Sequence, residues 1–383
     1  MKSIYLDYAA STPVRKEVLQ EMRKFERVFA NPSSVHGAGV AAREVLEDAR
    51  VRVGKILGAS GEDKIIFTSG GTESINLALL GVARANRHKR KHIITSVVEH
   101  KAILETCKQL EREGFVVDYV GVDSVGQISV DEVRRLLRKD TILVSIQYVN
   151  NETGVVQPIA DIGKMLRMRE GKRKVFFHTD ACQAGLLDLD VNRLNVDLLT
   201  LNSSKVYGPH GAGLLYVREG VTLSPLMYGG GQEYGLRSGT ENVTGIAGFS
   251  LALLLLQKER KKEVKRLQGL RSTFVKELLK NVKDVIVVSD LKNSVSTILS
   301  VGFRGVEAET VVKSFSAQGI YISAGSACTA QQIEVSHVLR AMGIEDDVAR
   351  GTVRFSFGKG ITAFDLQRVT KNVKDVVESL RKV

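Results

Sequence analysis

From about residue 36 to residue 255 the chain alternates two kinds of apolar pattern. Ala41, Val45, Ala49, Val53 and Ile56 recur at three- and four-residue intervals, which places side chains on one face of a helix. KIIFTS is then a short apolar run that reads as a strand, and INLALLGVARA returns to a helical pattern. HIITSV reads as a strand and HKAILETCKQLEREG as a helix. TILVSIQYV, KVFFHTD and VDLLTLNS are further short apolar runs with glycine or polar ends. Strands alternating with helices predict a largely parallel α/β sheet covered on both faces. GAGLLYV and the GGGQEYG turn predict that the sheet finishes with something other than a simple strand–helix step.

A helix predicted over roughly 255 to 281, apolar at Leu267, Leu270, Phe274 and Leu278, reads as a connector. Beyond it the pattern changes. A strand (STILSVGF), a helix, a strand (IYIS), a loop, another helix, a strand (TVRFSFG) and a last helix follow in turn. Leu366, Val369, Val373, Val376 and Leu380 line one face of that last helix. The expected organisation is a large domain over residues 15–255 and a smaller α+β domain from 1–14 and 256–383. The pattern contains neither internal repeats nor low-complexity segments.

Composition narrows the classes. The chain has 383 residues, 43% hydrophobic and 26% charged, in the range of an ordinary globular protein. IAGFSLALLLL is too short to span a bilayer and reads as a buried helix, and MKSIYLDYAAST lacks the apolar core of a signal peptide. Three cysteines without a CxxC pair argue against a disulfide framework or a structural zinc site, and a reducing cytoplasm is the expected compartment. The net charge of +12 is carried mostly on helix faces such as QKERKKEVKRL. No nucleic-acid-binding motif accompanies it, so no direct nucleic-acid contact is expected.

Ligands of open parallel sheets sit beyond the carboxyl ends of the strands, so the polar residues that follow each strand run carry the chemistry. After KIIF comes TSGGTES and then a helix, an arrangement that offers backbone N–H groups and a helix dipole to an anion. Glu99 and His100 follow the next strand, and Asn150 and Asn151 the one after. Asp180 then precedes Gln183 by three residues, and Ser203, Ser204 and Lys205 follow the last parallel run. A phosphate cradle, an imidazole, a carboxylate, amides and a lysine at one sheet edge form the set that pyridoxal phosphate needs. The lysine forms a Schiff base, the carboxylate pairs with the ring nitrogen, amides address the phenolic oxygen and an anion site takes the phosphate.

YLDYAAST, FANPSSVHG, FTSGGTESINLAL, VEHKAILETCKQLEREGF, VNNETGVVQPI, HTDACQ, SSKVYGPHG, GGGQEYGLRSGTEN, GSACT and VRFSFG run in order through essentially the whole chain. In these motifs the sequence resembles the pyridoxal-phosphate-dependent cysteine desulfurases of the long-loop class, which serve iron–sulfur cluster assembly and belong to the class V aminotransferases. The resemblance implies a type I fold, α/β, with a mostly parallel seven-stranded sheet and a smaller α+β domain. It implies Lys205 as the Schiff-base lysine, Asp180 at the pyridine nitrogen and Gln183 at the phenolic oxygen. His100 would stack on the ring and transfer protons. Gly71 and Thr72 would bind the phosphate, helped by Ser204, with Asn202 also in the cofactor shell. Asn151 would lie between cofactor and substrate, and with Arg354 would hold the substrate carboxylate, a task suited to a guanidinium fork. Thr240 would reach the phosphate of a neighbouring subunit, which implies a homodimer.

The same resemblance gives Cys328, set in the small and polar stretch SAGSACTAQQ, a role. Its thiolate would take sulfur from L-cysteine as a persulfide and release L-alanine. The sulfur would pass to an acceptor protein such as an iron–sulfur scaffold or a tRNA-thiolation enzyme. No resident metal is expected beyond a transient contact of Cys328 with a cluster. Ser204 stands where many relatives carry His, and Asn202 where Ser is common. Cys182 occupies a position where Thr or Val is frequent, and reads as a small packed residue. His36 has two readings, a residue near a partner's site and a satisfied turn histidine. The alternatives to a desulfurase are a selenocysteine lyase or another class V enzyme, and a non-catalytic platform in cluster assembly. The loop cysteine argues against transamination, and Lys205, Asp180 and Cys328 together argue against a platform.

Overall fold

Runs that are apolar on both faces must be covered on both sides, and the chain achieves this with helices before, between and after its strands. A computed structural model describes residues 3–88, 90–168, 174–325 and 335–381. β1 (Ile4–Tyr5), α1 (Lys16–Lys24) and α2 (Gly37–Leu57) lead in. The alternating region comprises β2 (Lys64–Thr68), α3 (Gly71–Asn86), β3 (His92–Ser96), α4 (Lys101–Arg112), β4 (Val116–Val120) and α5 (Val130–Leu136). It continues through β5 (Thr141–Ser145), α6 (Ile159–Arg167), β6 (Phe176–Asp180), α7 (Val191–Leu194), β7 (Leu198–Asn202) and β8 (Gly213–Val217). α8 (Val243–Asn281) then leads to β9 (Val285–Val287), β10 (Ile298–Phe303), α9 (Ala308–Ala317), β11 (Ile320–Tyr321) and β12 (Ser323–Ala324). α10 (His337–Ala341), α11 (Asp346–Arg350), β13 (Thr352–Ser356) and α12 (Ala363–Leu380) complete the chain.

The large sheet has the strand order β2-β8-β7-β6-β5-β3-β4. β7, β6, β5, β3 and β4 are parallel, and β8 lies antiparallel between β2 and β7. The carboxyl ends of β2, β3, β5, β6 and β7 therefore share one edge. The central strands β3, β5 and β6 are buried at every position, their short apolar stretches together with polar residues such as His92, Thr95, Ser145 and His178. β4 is the one strand of this sheet that the apolar runs do not reveal. It is the sheet's edge, and Val116 is 47% exposed, so its sequence never becomes a continuous apolar run.

Two further patterns differ from expectation. The buried stripe of α2 is Ala42, Leu46, Ala49, Val53 and Leu57, so three of the five expected positions are displaced by one residue. Small and β-branched residues on both sides of the stripe leave its phase ambiguous from sequence. The run 246–256 and the connector helix are also one helix of 39 residues, α8. Its first part buries Ile246, Phe249, Leu253 and Leu256 in the core of the large sheet. Its last part buries Leu267, Phe274, Val275 and Leu278 in a second core, under the antiparallel sheet β12-β13-β10-β9. The expected boundary at residue 255 falls inside this continuous helix. β1 pairs in parallel with β11, so the first residues of the chain pack with the second core. Among the described residues no helix is long and apolar enough to cross a membrane.

Candidate active site

The shared sheet edge gathers most of the polar residues singled out above. His100 is the N-cap of α4, directly beyond β3, and its Nδ1 accepts the Ala102 N–H at 3.1 Å. That contact requires an unprotonated Nδ1, so the neutral ring carries its proton on Nε2. Burial lowers the imidazole's pKa, opposed by the charge of Asp180 and reinforced by that of Lys205. Asp180 ends β6, is buried, and accepts the Cys182 N–H through Oδ1 at 2.9 Å.

Lys205 closes the short 3₁₀ turn Ser203–Lys205 that follows β7. Its Nζ donates to the carbonyls of Ala9, at 2.9 Å, and Ala10. Burial lowers its pKa, which favours the free amine that carbonyl chemistry needs. Gln183 Nε2 donates to the same Ala9 carbonyl at 2.9 Å. The segment YLDYAAST thus builds one wall of the site. A cavity of about 40 Å³ behind Lys205 is lined by Tyr8, Thr12, Gln183 and Tyr207 among others.

The anion cradle lies at the start of α3. Gly71 is buried, and a β-carbon there would stand 2.8 Å from Cys182 Sγ and 3.4 Å from Asn202 Cβ. Only glycine fits, which brings the backbone of the first helical turn close to β7 and to the DACQ turn. Asn202 Oδ1 accepts from Ser204 N and Ser204 Oγ, both at 3.4 Å. Thr72 is exposed beside them. A helix N-terminus, two hydroxyls, an amide, a buried carboxylate and an amine of lowered pKa are the donor set that pyridoxal phosphate requires, so the residues fit that cofactor.

Arg354, on β13, is 5% exposed. Its Nη1 donates to the Asn151 carbonyl at 2.8 Å and its Nη2 to Asp7 Oδ1 at 2.9 Å, while Nε is buried without a partner among the described residues. Thr240 is exposed and lines a cavity of about 110 Å³ with Thr68, Ser69 and Arg237. Cys328 lies outside the described residues. Asn150 is structural: its Oδ1 accepts from the backbone of Glu152 and Thr153, and its Nδ2 donates to the Val98 carbonyl. His36 caps α2 and accepts from Gly39 N at 3.3 Å. Cys107 is fully buried, and burial pushes its thiol up to about 12. Burial also raises the Cys182 thiol well above its ordinary value. Both thiols are therefore poor nucleophiles.

Three residues of the site escaped the strand-end rule. Asp7, Ala9 and Ala10 act from the far end of the chain, and only the order of motifs pointed to YLDYAAST. Glu152, next to Asn151 in the chain, is buried, with its carboxyl raised to about 7 chiefly by burial. Glu99 is fully buried, accepts from Ser96 Oγ and Gln147 N, and is raised by burial to about 8.

Comparison with known proteins gives the family of the chain. Residues 4–369 match the model of the family described as aminotransferase class-V. The cysteine desulfurase IscS of Dictyoglomus turgidum is 43% identical over 384 residues, covering 100% of this chain and 96% of that one. The protein of the same name from Methanosarcina thermophila is also 43% identical, covering 99% of this chain and 93% of its own. Among solved structures, a NifS-like protein superimposes with a TM-score of 0.91 at 37% identity, covering 100% of both chains. A structure described as SspA in complex with cysteine gives a TM-score of 0.81 at 39% identity, covering 93% of this chain and 99% of that one. The chain belongs to the aminotransferase class-V family, among its cysteine desulfurases.

Proposed function

We propose that this protein is a pyridoxal-phosphate-dependent cysteine desulfurase that converts L-cysteine to L-alanine and carries the sulfur as a persulfide on Cys328. The observation that supports it best is the convergence of His100, Asp180 and Lys205 at one sheet edge, in a chain of this family. Pyridoxal phosphate, when bound, supplies an electron sink for bond breaking in an amino acid. Lys205 would hold its aldehyde carbon, Asp180 its ring nitrogen and Gln183 its phenolic oxygen. Gly71, Thr72, Asn202 and Ser204 would hold its phosphate, with Thr240 reaching the site of the second subunit of a homodimer.

The chain's own residues supply the rest. Arg354 and Asn151 orient the substrate carboxylate. His100, with its proton on Nε2, holds or moves a proton at that atom. The Cys328 thiolate bonds to the sulfur of cysteine. The carbon–sulfur bond breaks, its electron pair stays with carbon, and a proton takes the place of sulfur. Thiol plus L-cysteine becomes persulfide plus L-alanine, which balances without an added oxidant. The persulfide then passes to an acceptor protein of iron–sulfur assembly or tRNA thiolation, in the cytoplasm. The two cores joined by α8 support a division into a large domain, 15–255, and a small one, 1–14 with 256–383.

The test is the release of alanine and sulfide from L-cysteine by the cofactor-loaded protein under reducing conditions, in equal amounts. Cys328→Ala should abolish sulfur release and leave the cofactor's visible absorbance in place. Full activity of that variant removes Cys328 from the reaction. A yellow protein that releases neither product overturns the desulfurase reading.

A further inference from the structure

Glu99 stands in the chain between His100 and the strand that leads to it, and no step proposed above uses its side chain. It is fully buried, where a carboxyl is costly unless polar groups meet it. Its Oε1 accepts from Oγ of Ser96, the last residue of β3, at 2.7 Å. Both of its oxygens accept the Gln147 N–H, each at 3.0 Å. The last register pair of β3 and β5 is Thr95 with Ser145. Gln147 follows that pair in the chain, so the Glu99 carboxyl takes the place of a strand carbonyl for its N–H.

Gln147 returns the contact. Its Nε2 donates to the Val98 carbonyl at 2.6 Å, and Asn150 Nδ2 donates to the same carbonyl at 3.0 Å. The Glu99 carbonyl accepts from His337 Nε2 at 3.0 Å. The turn that ends in His100 is therefore held by the Glu99 side chain and at two successive carbonyls. The residues on either side of Gln147 lead to Asp180. The Ile146 N–H donates to the His178 carbonyl at 3.1 Å, and the Tyr148 N–H to the Asp180 carbonyl at 2.8 Å. A path of hydrogen bonds and one peptide step runs from the His100 turn through Glu99 and Gln147 to Asp180. Ser96 Oγ and Gln147 N both donate, so a protonated carboxyl can still accept from them through its carbonyl oxygen.

We propose that Glu99 is a positioning residue for His100: its carboxyl, bridging the end of β3 to the backbone of Gln147, holds the His100 turn in register with Asp180. The inference rests on His100 acting in the reaction proposed above.

The test uses the full-length protein with Glu99→Ala, Glu99→Asp, Glu99→Gln, His100→Ala and the double variant Glu99→Ala/His100→Ala. Two quantities are read. The first is kcat and KM for alanine formation from L-cysteine by the cofactor-loaded protein. The second is the pKa of the His100 ring in the apo-protein, followed by NMR of ¹³C-labelled histidine and assigned by loss of the resonance in His100→Ala. Glu99→Ala should lower kcat about tenfold, the order expected for one buried hydrogen-bonding group, with KM within about twofold. In the His100→Ala background the same change should alter kcat less than about twofold, because Glu99 acts through His100. The His100 pKa, lowered by burial in the wild type, should rise by about 0.5 toward its ordinary value in Glu99→Ala as the turn loosens and water enters. Glu99→Gln, whose amide oxygen accepts the Gln147 N–H, should recover most of the rate and the wild-type pKa. Glu99→Asp keeps the charge but is shorter by one methylene, and should behave as Glu99→Ala does. It carries the test if Glu99→Ala does not fold.

A kcat within about twofold of wild type, a tenfold loss that persists without His100, a loss confined to KM, or an unchanged His100 pKa each overturns the proposal. If His100→Ala is inactive, the resonance decides. A wild-type protein that makes no alanine, but whose His100 pKa follows the Glu99 series, overturns the desulfurase reading and leaves the bracket standing.

Discussion

At the scale of single residues, burial sets the chemistry. His178 is fully enclosed in β6, with Nδ1 2.8 Å from Ser145 Oγ and Nε2 3.0 Å from Thr200 Oγ1. Burial drives its pKa down to about 3. The unfolded chain binds a proton at His178 as pH falls below about 6.5, while the native state does not. The stability this difference confers is complete above pH 6.5 and is lost as pH falls toward 3. His178→Gln should therefore flatten the acid limb. Between pH 6.5 and 5 the wild type should lose about 2 kcal/mol more than the variant, read as the change in urea midpoint at each pH. Equal losses would mean that His178 is protonated in the native state. Glu99 has the opposite sign. Its carboxyl is raised, so its contribution is complete below its ordinary pKa and is lost as pH rises toward about 8. The strand-end rule found His100, Asp180 and Lys205, because each lies at or within a few residues of the carboxyl end of its strand. It could not show that Glu99 is fully buried against Gln147, or that Asp7 meets Arg354, since those facts depend on how distant segments pack.

At the scale of elements, the first turn of α3 is the most constrained join. Gly71→Ala sets a methyl 2.8 Å from Cys182 Sγ, so either the helix start or the DACQ turn must give way. Cofactor affinity should fall about tenfold, near 1.4 kcal/mol, measured by titrating the apo-protein with pyridoxal phosphate and following absorbance. Adding Cys182→Ala removes the opposing sulfur and should recover most of the loss. Failure of that rescue would place the strain on the Asn202 side instead. This fit explains a departure seen in the sequence. Cys182 is small enough to pack over a glycine, and its raised pKa keeps it a neutral filler. The elements themselves were legible where a short apolar core such as II in β3, ILV in β5 or FF in β6 stands out between helical patterns. They were obscure where exposure breaks the pattern, as in β4. α8 was split in two because its middle, from Gln257 to Arg266, is charged where it bridges the two cores and apolar at either end.

At the scale of the whole molecule, the first dozen residues tie the two cores to each other at the site. Ile4 and Tyr5 pair with β11, Ala9 N donates to Ser356 Oγ, and the Ala9 carbonyl receives Lys205 and Gln183. Thr12 Oγ1 donates to the Ser204 carbonyl and accepts the Tyr207 N–H. Asp7 is the charged member of this strap among the described residues, and it already occupies Arg354 Nη2. Two roles can be told apart. If Asp7 competes with the substrate carboxylate, Asp7→Asn frees the charge of Arg354, and KM for L-cysteine should fall about threefold, or ~0.6 kcal/mol. If Asp7 orients the guanidinium, the same change should raise KM. Competition is the expected outcome, because the Asn151 carbonyl already fixes Nη1 at 2.8 Å and holds the fork without Asp7. The cost appears in the fold. Loss of the carboxylate partner of a guanidinium at a 5% exposed position should cost about 3 kcal/mol, felt first where the strap is attached. Hydrogen exchange should therefore quicken in β1 and β11 of Asp7→Asn while β5 and β6 stay protected. A lower KM together with that localised loss would show that the strap trades substrate affinity for the joining of the two cores.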